Sequence, residues 1–203
     1  MRRDFPGGAH ARRDGAERRS LRAELEAYGR RQPERRAVVE QLVALLDQPG
    51  DGFSRAHLEP GHFTASAFVV CPERRRLLLI RHPKLGRWLQ PGGHIEPDDA
   101  SCLAAAQREV REETGVAELL PLAEGIFDVD VHQIPANSRE GAHAHFDVRY
   151  AFEARAARLT VSDEVKAARW VEFAAVAALN DEESIARPVR ALISRLSSSP
   201  GPR

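Results

Sequence analysis

Three carboxylates at close spacing are the part of this chain best suited to chemistry. They lie in Arg108-Glu109-Val110-Arg111-Glu112-Glu113-Thr114-Gly115. On a helix, positions i, i+3 and i+4 fall within an arc of about 100°, so Glu109, Glu112 and Glu113 share one face. Like charges at i, i+4 repel and weaken an isolated helix. A chain that keeps such an arrangement has a cation to place there. Hard divalent ions such as Mg²⁺ take a few carboxylate oxygens together with substrate phosphates. The competing reading is a solvated, charge-rich helix face. Gly92-Gly93 upstream and Gly115 downstream favour the metal. Arg111 reads as a surface residue of the same helix.

A second group of chemically able residues alternates along two strands. Residues 126 to 134 put Phe127, Val129 and Val131 on one face and Asp128, Asp130 and His132 on the other. In the next run Ala144, Phe146, Val148, Tyr150 and Phe152 share a face, opposite His143, His145, Asp147 and Arg149. The connection PANSREGA is short enough for an antiparallel hairpin. The register that aligns the apolar faces sets the His, Asp and Arg side chains beside one another. Such a face is either solvated or a substrate cleft in which His132, His143, His145, Asp147 and Arg149 meet phosphate or sugar. A transition-metal site of His and Asp is a third reading, but strand pairs alone rarely fix ligand geometry.

Other elements must position these groups. Residues 17 to 31 read as a helix with Leu21, Leu25 and Tyr28 on one side. Pro33 opens a second helix, with Val38, Leu42, Leu45 and Leu46 as its stripe. Pro49-Gly50-Asp51-Gly52 ends it. The pair reads as an extension packed on a larger domain, with a dimerisation arm as the alternative. Residues 62 to 71 read as a strand, with Phe63, Ala65, Ala67 and Val69 alternating against Thr64, Ser66 and Phe68. Residues 76 to 81 hold a more buried strand, and 167 to 173 another that contains Trp170. The carboxylate helix covers about 100 to 114, with Asp98, Asp99 or Ser101 as its cap and Gly115 as its stop. Residues 174 to 179 and 183 to 196 read as helices, before a frayed tail. Trp88 reads as an anchoring aromatic more readily than as a base-stacking one.

Composition narrows the function classes. The chain has 203 residues, suited to one domain with an extension. Its 30 basic and 30 acidic residues cancel, so no global pull toward nucleic acid or membrane is expected. Cys71 and Cys102 lack metal-type spacing, and a reduced, cytoplasmic protein is the simplest reading. No apolar run approaches a membrane span. The Arg-rich start has twin Arg at positions 2 and 3 but no apolar region after them, and reads as a disordered tail.

The block from Gly92 to Val116 resembles the Nudix box of the Nudix hydrolases. Arg108 to Val116 fits the second half of that pattern throughout. Trp88-Leu89-Gln90-Pro91-Gly92-Gly93 resembles the usual entry, and Ser162-Asp163-Glu164 with Arg169-Trp170-Val171 the late segment. One departure stands out. Counting from Gly93, the position of the box glutamate falls on Asp99, and eight residues rather than seven separate it from Arg108. Asp98 or Asp99 replaces the missing Glu, and the residues alone do not choose between them.

The resemblance implies an α+β fold, a Nudix-type α/β/α sandwich with a mixed sheet and an N-terminal helical extension. The corresponding boundaries are a disordered tail at 1–16, the extension at 17–58, the Nudix domain at 59–197 and a frayed tail at 198–203. It also implies metal-dependent hydrolysis of a pyrophosphate bond in a nucleoside diphosphate derivative. Gly92, Glu109, Glu112 and Glu113 would bind Mg²⁺ or Mn²⁺. Glu109, Glu112 and Arg108 would form the catalytic set, with Glu109 or a glutamate outside the box taking the proton from water. The expected partner is a small diphosphate, with the protein a monomer or homodimer. The alternative is a Nudix-fold sensor without catalysis, a class that often loses box carboxylates; this chain keeps all three. An isomerase of the isopentenyl diphosphate type would need a catalytic cysteine context absent around Cys71 and Cys102.

Overall fold

The computed structural model describes residues 10–83, 85–136, 140–162 and 165–198, with side chains from residue 15 onward. The segment expectations for 1–9 and 199–203, and the role of Asp163-Glu164, lie outside the described residues. The element order is α1 (His10–Arg31), α2 (Arg36–Asp47), β1 (Gly61–Val70), β2 (Arg76–Arg81), β3 (Trp88–Leu89), β4 (Gly92–His94), α3 (Cys102–Thr114), β5 (Leu119–Pro121), β6 (Asp128–Ile134), β7 (His143–Ala154), β8 (Ala168–Glu172), α4 (Phe173–Val176) and α5 (Glu183–Ser198).

Among the described residues, eight strands form one mixed sheet. Its centre is the parallel pair β1 and β7, from Gly61↔Ala144 to Val70↔Glu153. β4 and β2 continue antiparallel from β1, and β6 and β5 from β7. The α+β sandwich expected from the sequence is the fold observed. One face carries Phe63, Ala65, Ala67 and Val69 of β1, packed with α1, α2 and α3. The other carries Phe68 and Val70, packed with Ile185, Val189 and Leu192 of α5. All ten residues of β1 are buried, so its Thr64 and Ser66 face is interior rather than solvated.

Several elements differ from the sequence reading. α1 begins at His10, inside the segment read as a disordered tail. On α2 the buried residue is Val39, with Val38 only partly covered. β5 was not anticipated, and α4 is shorter than the helix expected there.

The two N-terminal helices are not an appendage. Leu21, Leu25, Tyr28, Leu42, Leu45 and Leu46 belong to the same core as Phe63, Val110 and Phe146. Arg31 and Arg35 also donate to the Ile126 and Val129 carbonyls, at 3.0 and 2.7 Å. Burying that apolar stripe is what holds a helix pair of this length in place.

On the opposite face, Pro188 sits inside α5. Proline has no N–H to bond the carbonyl four residues earlier. That carbonyl, Ser184, instead accepts from Arg149 at 2.7 Å. The sheet thereby supplies the bond the helix lacks, and α5 is fastened over the polar face of β6 and β7.

Candidate active site

β4 and α3 build the carboxylate site. β4 lies antiparallel to β1, with Ser66↔Gly92, Ala65↔Gly93 and Thr64↔His94. Successive strand residues face opposite sides of the sheet, so Gly93 faces α3 while Gly92 and His94 face away. A Cβ on residue 93 would stand 2.6 Å from Glu109 Oε1. One on residue 92 would stand 2.3 Å from Ser66 Cβ. Close approach of the Ser66 and Ala65 backbone requires a glycine at 92, whereas at 93 a side chain would displace the Glu109 carboxylate.

α3 starts where Ser101 Oγ accepts the Ala104 N–H at 3.1 Å and stops at Gly115, whose φ is 72°. Ser101 is the cap among the three candidates. Ala105, Ala106 and Val110 are buried against the sheet, which turns the acidic face toward β4. The three carboxylates sit in graded environments. Glu113 is buried and accepts the Gly92 N–H at 3.0 Å. Glu109 packs against Gly93, its side chain 12% exposed, while that of Glu112 is 45% exposed.

Arg108 organises this face. Its Nε and one terminal nitrogen donate to the two oxygens of Asp99, each at 2.9 Å. Its other nitrogen reaches Glu109 at 2.9 Å and Glu112 at 2.6 Å. The guanidinium also donates to the His94 carbonyl at 2.9 Å. Asp99, then Glu112 and Glu109, raise the Arg108 pKa above its ordinary value, so the charge that separates the acids is permanent. Asp99 is buried and Asp98 exposed, which identifies the partner that the residues alone left open. Asp is one methylene shorter than Glu, and the turn before α3 brings it within reach of Arg108. The turn is closed by Asp99, which accepts the Glu96 N–H at 2.8 Å.

The polar face of β6 and β7 forms in the expected register, with Asp128↔Arg149, Asp130↔Asp147 and His132↔His145. It is not a solvated face. Arg149 is 1% exposed and ion-paired to Asp128, Asp130 and Asp147. Arg187 of α5 adds a second guanidinium to Asp128 and Asp130. Asp147 also accepts from Thr64 and Ser66, at 3.1 and 2.8 Å. Asp147 and Arg149, read from the sequence as substrate contacts, thus pair within an internal network beneath α5. Burial acts against ionising Asp130, but His132 and the two guanidiniums hold its carboxyl well below the usual range.

At the other end of the same face the histidines gather. His143 is buried, His145 is half-buried, and the His132 side chain is 44% exposed at the rim. Two members escaped the sequence reading. His62 lies on β1 opposite His145, and His94 lies on β4 opposite Thr64. Their signal was the alternation of His62, Thr64 and Ser66, but only the parallel pairing of β1 with β7 brings them to the hairpin.

A separate cleft of about 410 Å³ lies between the end of α1, residues 32–35, residues 123–128 and α5, and its lining includes Tyr28, Arg31, Arg35, Asp128, Arg187 and Arg195. Each of those guanidiniums donates to a protein carbonyl or carboxylate. Trp88 has the Arg169 guanidinium 4.2 Å from its ring centre, and Trp170 Nε1 donates to Ala157 at 2.7 Å. Both therefore serve packing. Cys71 and Cys102 are buried free thiols. Among the described residues, no helix is long and apolar enough to cross a membrane.

A NUDIX domain model matches residues 61–192. The chain belongs to the Nudix family. A MutT-like protein of Streptomyces ambofaciens is 35% identical over 86 residues, covering 42% of this chain and 53% of that protein. The uncharacterised Nudix hydrolase YvcI of Bacillus subtilis is 38% identical over 52 residues, covering 26% of this chain and 32% of that protein. The chain thus spans about half the length of the first relative and a third of the second.

Solved Nudix structures share the fold. The Escherichia coli dihydroneopterin triphosphate pyrophosphohydrolase superposes with a TM-score of 0.51 at 16% identity, covering 65% of this chain and 95% of that one. The NUDIX domain of Shewanella oneidensis NrtR, solved with ADP ribose, gives 0.50 at 22% identity, covering 66% and 87%. The family match begins at β1, so α1 and α2 lie outside it while sharing the Nudix core.

Proposed function

We propose that this Nudix protein is a divalent-metal-dependent hydrolase that cleaves the pyrophosphate bond of a nucleotide-derived diphosphate. The observation that carries the reading is the acidic face of α3, held against Gly92 and Gly93 and ordered by Arg108. An all-oxygen donor set in a glycine-walled cradle fits a hard ion such as Mg²⁺ or Mn²⁺. Glu109, Glu112, Glu113 and the Gly92 carbonyl would hold it. When bound, such an ion neutralises phosphate oxygens and lowers the pKa of water.

The protein's own residues do the rest. Arg108 places one guanidinium nitrogen between Glu109 and Glu112, which keeps two like charges close without collapse of the face. Within the expected catalytic set, it acts as the residue that positions the carboxylates. Glu113 bonds the Gly92 amide and so fixes the strand against the helix. Glu109, in the less exposed position beside Gly93, is assigned the proton of the attacking water. Glu112, the most exposed of the three, completes the acidic face toward the substrate.

The test is a panel of nucleoside diphosphate derivatives, with ADP-ribose and dihydroneopterin triphosphate included, assayed with Mg²⁺ or Mn²⁺. Metal-dependent release of a phosphorylated product, lost in Glu112→Gln, is the expected result. Tight binding of one compound without turnover would instead make the protein a sensor.

A further inference from the structure

We propose that His62, His94 and His145 form a binding site for a divalent transition-metal ion of the zinc class, separate from the carboxylate site on α3. The three residues come from three adjacent strands. His62 of β1 is paired with His145 of β7, and His94 of β4 is paired with Thr64 two residues along β1. Each offers a ring nitrogen, and the three nitrogens lie within 4.8 Å of one another. Nitrogens around a tetrahedral zinc, at Zn–N of 2.0–2.1 Å, stand about 3.3 Å apart. Rotation of the rings about their side-chain bonds is the movement that would close that difference.

Surrounding hydrogen bonds set the lone pairs of His62 and His145. His62 Nδ1 meets the His57 carbonyl at 3.1 Å and so carries its proton there. Its Nε2 is buried and bonds no protein group, which leaves a desolvated lone pair directed into the cluster. His143 Nδ1 meets the Gly141 carbonyl at 2.8 Å, and its Nε2 lies 3.3 Å from His145 Nε2. With Nδ1 donating to Gly141, His143 Nε2 is left to accept from His145 through that contact. His145 then keeps its lone pair on Nδ1. Backbone carbonyls and a neighbouring ring thus orient the ligands, as outer partners do at histidine metal sites.

Electrostatics and chemistry agree with the geometry. Burial, with neighbouring imidazoles, pushes His94 down to about 4 and His145 to about 2. Burial also lowers His62. Imidazole selects zinc, copper, nickel or iron over Mg²⁺, which prefers oxygen. His143 stacks on His62 at 5.0 Å and closes one side. The fourth position is left to water.

The ion would tie β4 to the two central strands. β4 also carries Gly92 and Gly93, and its His94 carbonyl accepts from Arg108. The inference does not depend on hydrolase activity, and its test reads metal rather than turnover.

The full chain, without a polyhistidine tag, is stripped with a chelator and titrated with Zn²⁺ and with Co²⁺ in excess Mg²⁺. One equivalent of Zn²⁺ should bind at micromolar concentration or tighter. Co²⁺ should give the intense visible bands of a four-coordinate nitrogen site. His62→Gln and His94→Gln should each weaken binding at least tenfold, while Glu112→Gln retains it. X-ray absorption of zinc-loaded wild-type protein needs no variant, and should show imidazole scattering with nitrogen near 2.0 Å. Absence of saturable binding, an oxygen-only shell, or loss in Glu112→Gln with retention in the histidine variants would each overturn the proposal.

Discussion

Arg108 holds Asp99 through two parallel hydrogen bonds of 2.9 Å each. Paired bonds of this kind fix direction as well as distance. The remaining guanidinium nitrogen is thereby aimed at Glu109 and Glu112. Asp99→Ala should lower activity by about 10–100-fold, the usual effect of losing an outer partner of a metal site. It should also destabilise the fold by about 1–3 kcal/mol. Asp98→Ala, at an exposed position, should change stability by less than about 0.5 kcal/mol. Urea denaturation and steady-state kinetics on both variants check the contrast.

The two box glycines should fail in different ways. Gly93→Ala sets a methyl against the mobile end of Glu109, so the carboxylate moves and the fold persists. Activity should fall with little change in melting temperature. Gly92→Ala meets Ser66 Cα at 2.7 Å and the Ala65 carbonyl at 2.8 Å. That variant should lose stability first, as seen by thermal denaturation.

Arg149 is the most consequential charge away from the carboxylate helix. Arg149→Met leaves Asp128, Asp130 and Asp147 without their shared guanidinium and Ser184 without its donor. Breaking a buried pair by removing one partner costs about 3–5 kcal/mol. Denaturant unfolding should show a loss of at least that size, with α5 the first element to lose amide-exchange protection.

Acid stability should track Asp130. Its folded pKa is depressed, so its contribution is fully present above the unfolded carboxylate value of about 3.9. That contribution fades as pH falls through the folded value. Melting temperature followed from pH 7 downward should drop below about pH 4 in wild type. Asp130→Asn should begin from a lower melting temperature and fall less steeply.

α1 and α2 should not be removable. Leu42 is 0% exposed within the core shared with Phe63 and Phe146. Leu42→Ala should destabilise the whole chain by about 2–5 kcal/mol in a single transition. A separate early transition for the helices would show an independent arm instead.

The sequence by itself determined the acidic face of α3 and most of the elements beneath it. Glu109, Glu112 and Glu113 follow from helical spacing alone, and the Gly115 stop follows from glycine's tolerance of positive φ. The alternation in β6 and β7 set the hairpin register, because a slip of one residue would turn every apolar side chain outward. These are local periodicities, and a local pattern can be read from a string.

Only the tertiary structure decided what each face meets. Asp99 rather than Asp98 reaches Arg108 because the turn before α3 folds back on the helix. The polar face of the hairpin became an interior because β1 lies parallel to β7 and α5 covers it. The same pairing brings His62, His94 and His145 together from positions 83 residues apart along the chain. A contact of that range leaves no periodic trace. It exists only once the chain has folded and the cost of closing the intervening loops has been met by the burial of the core.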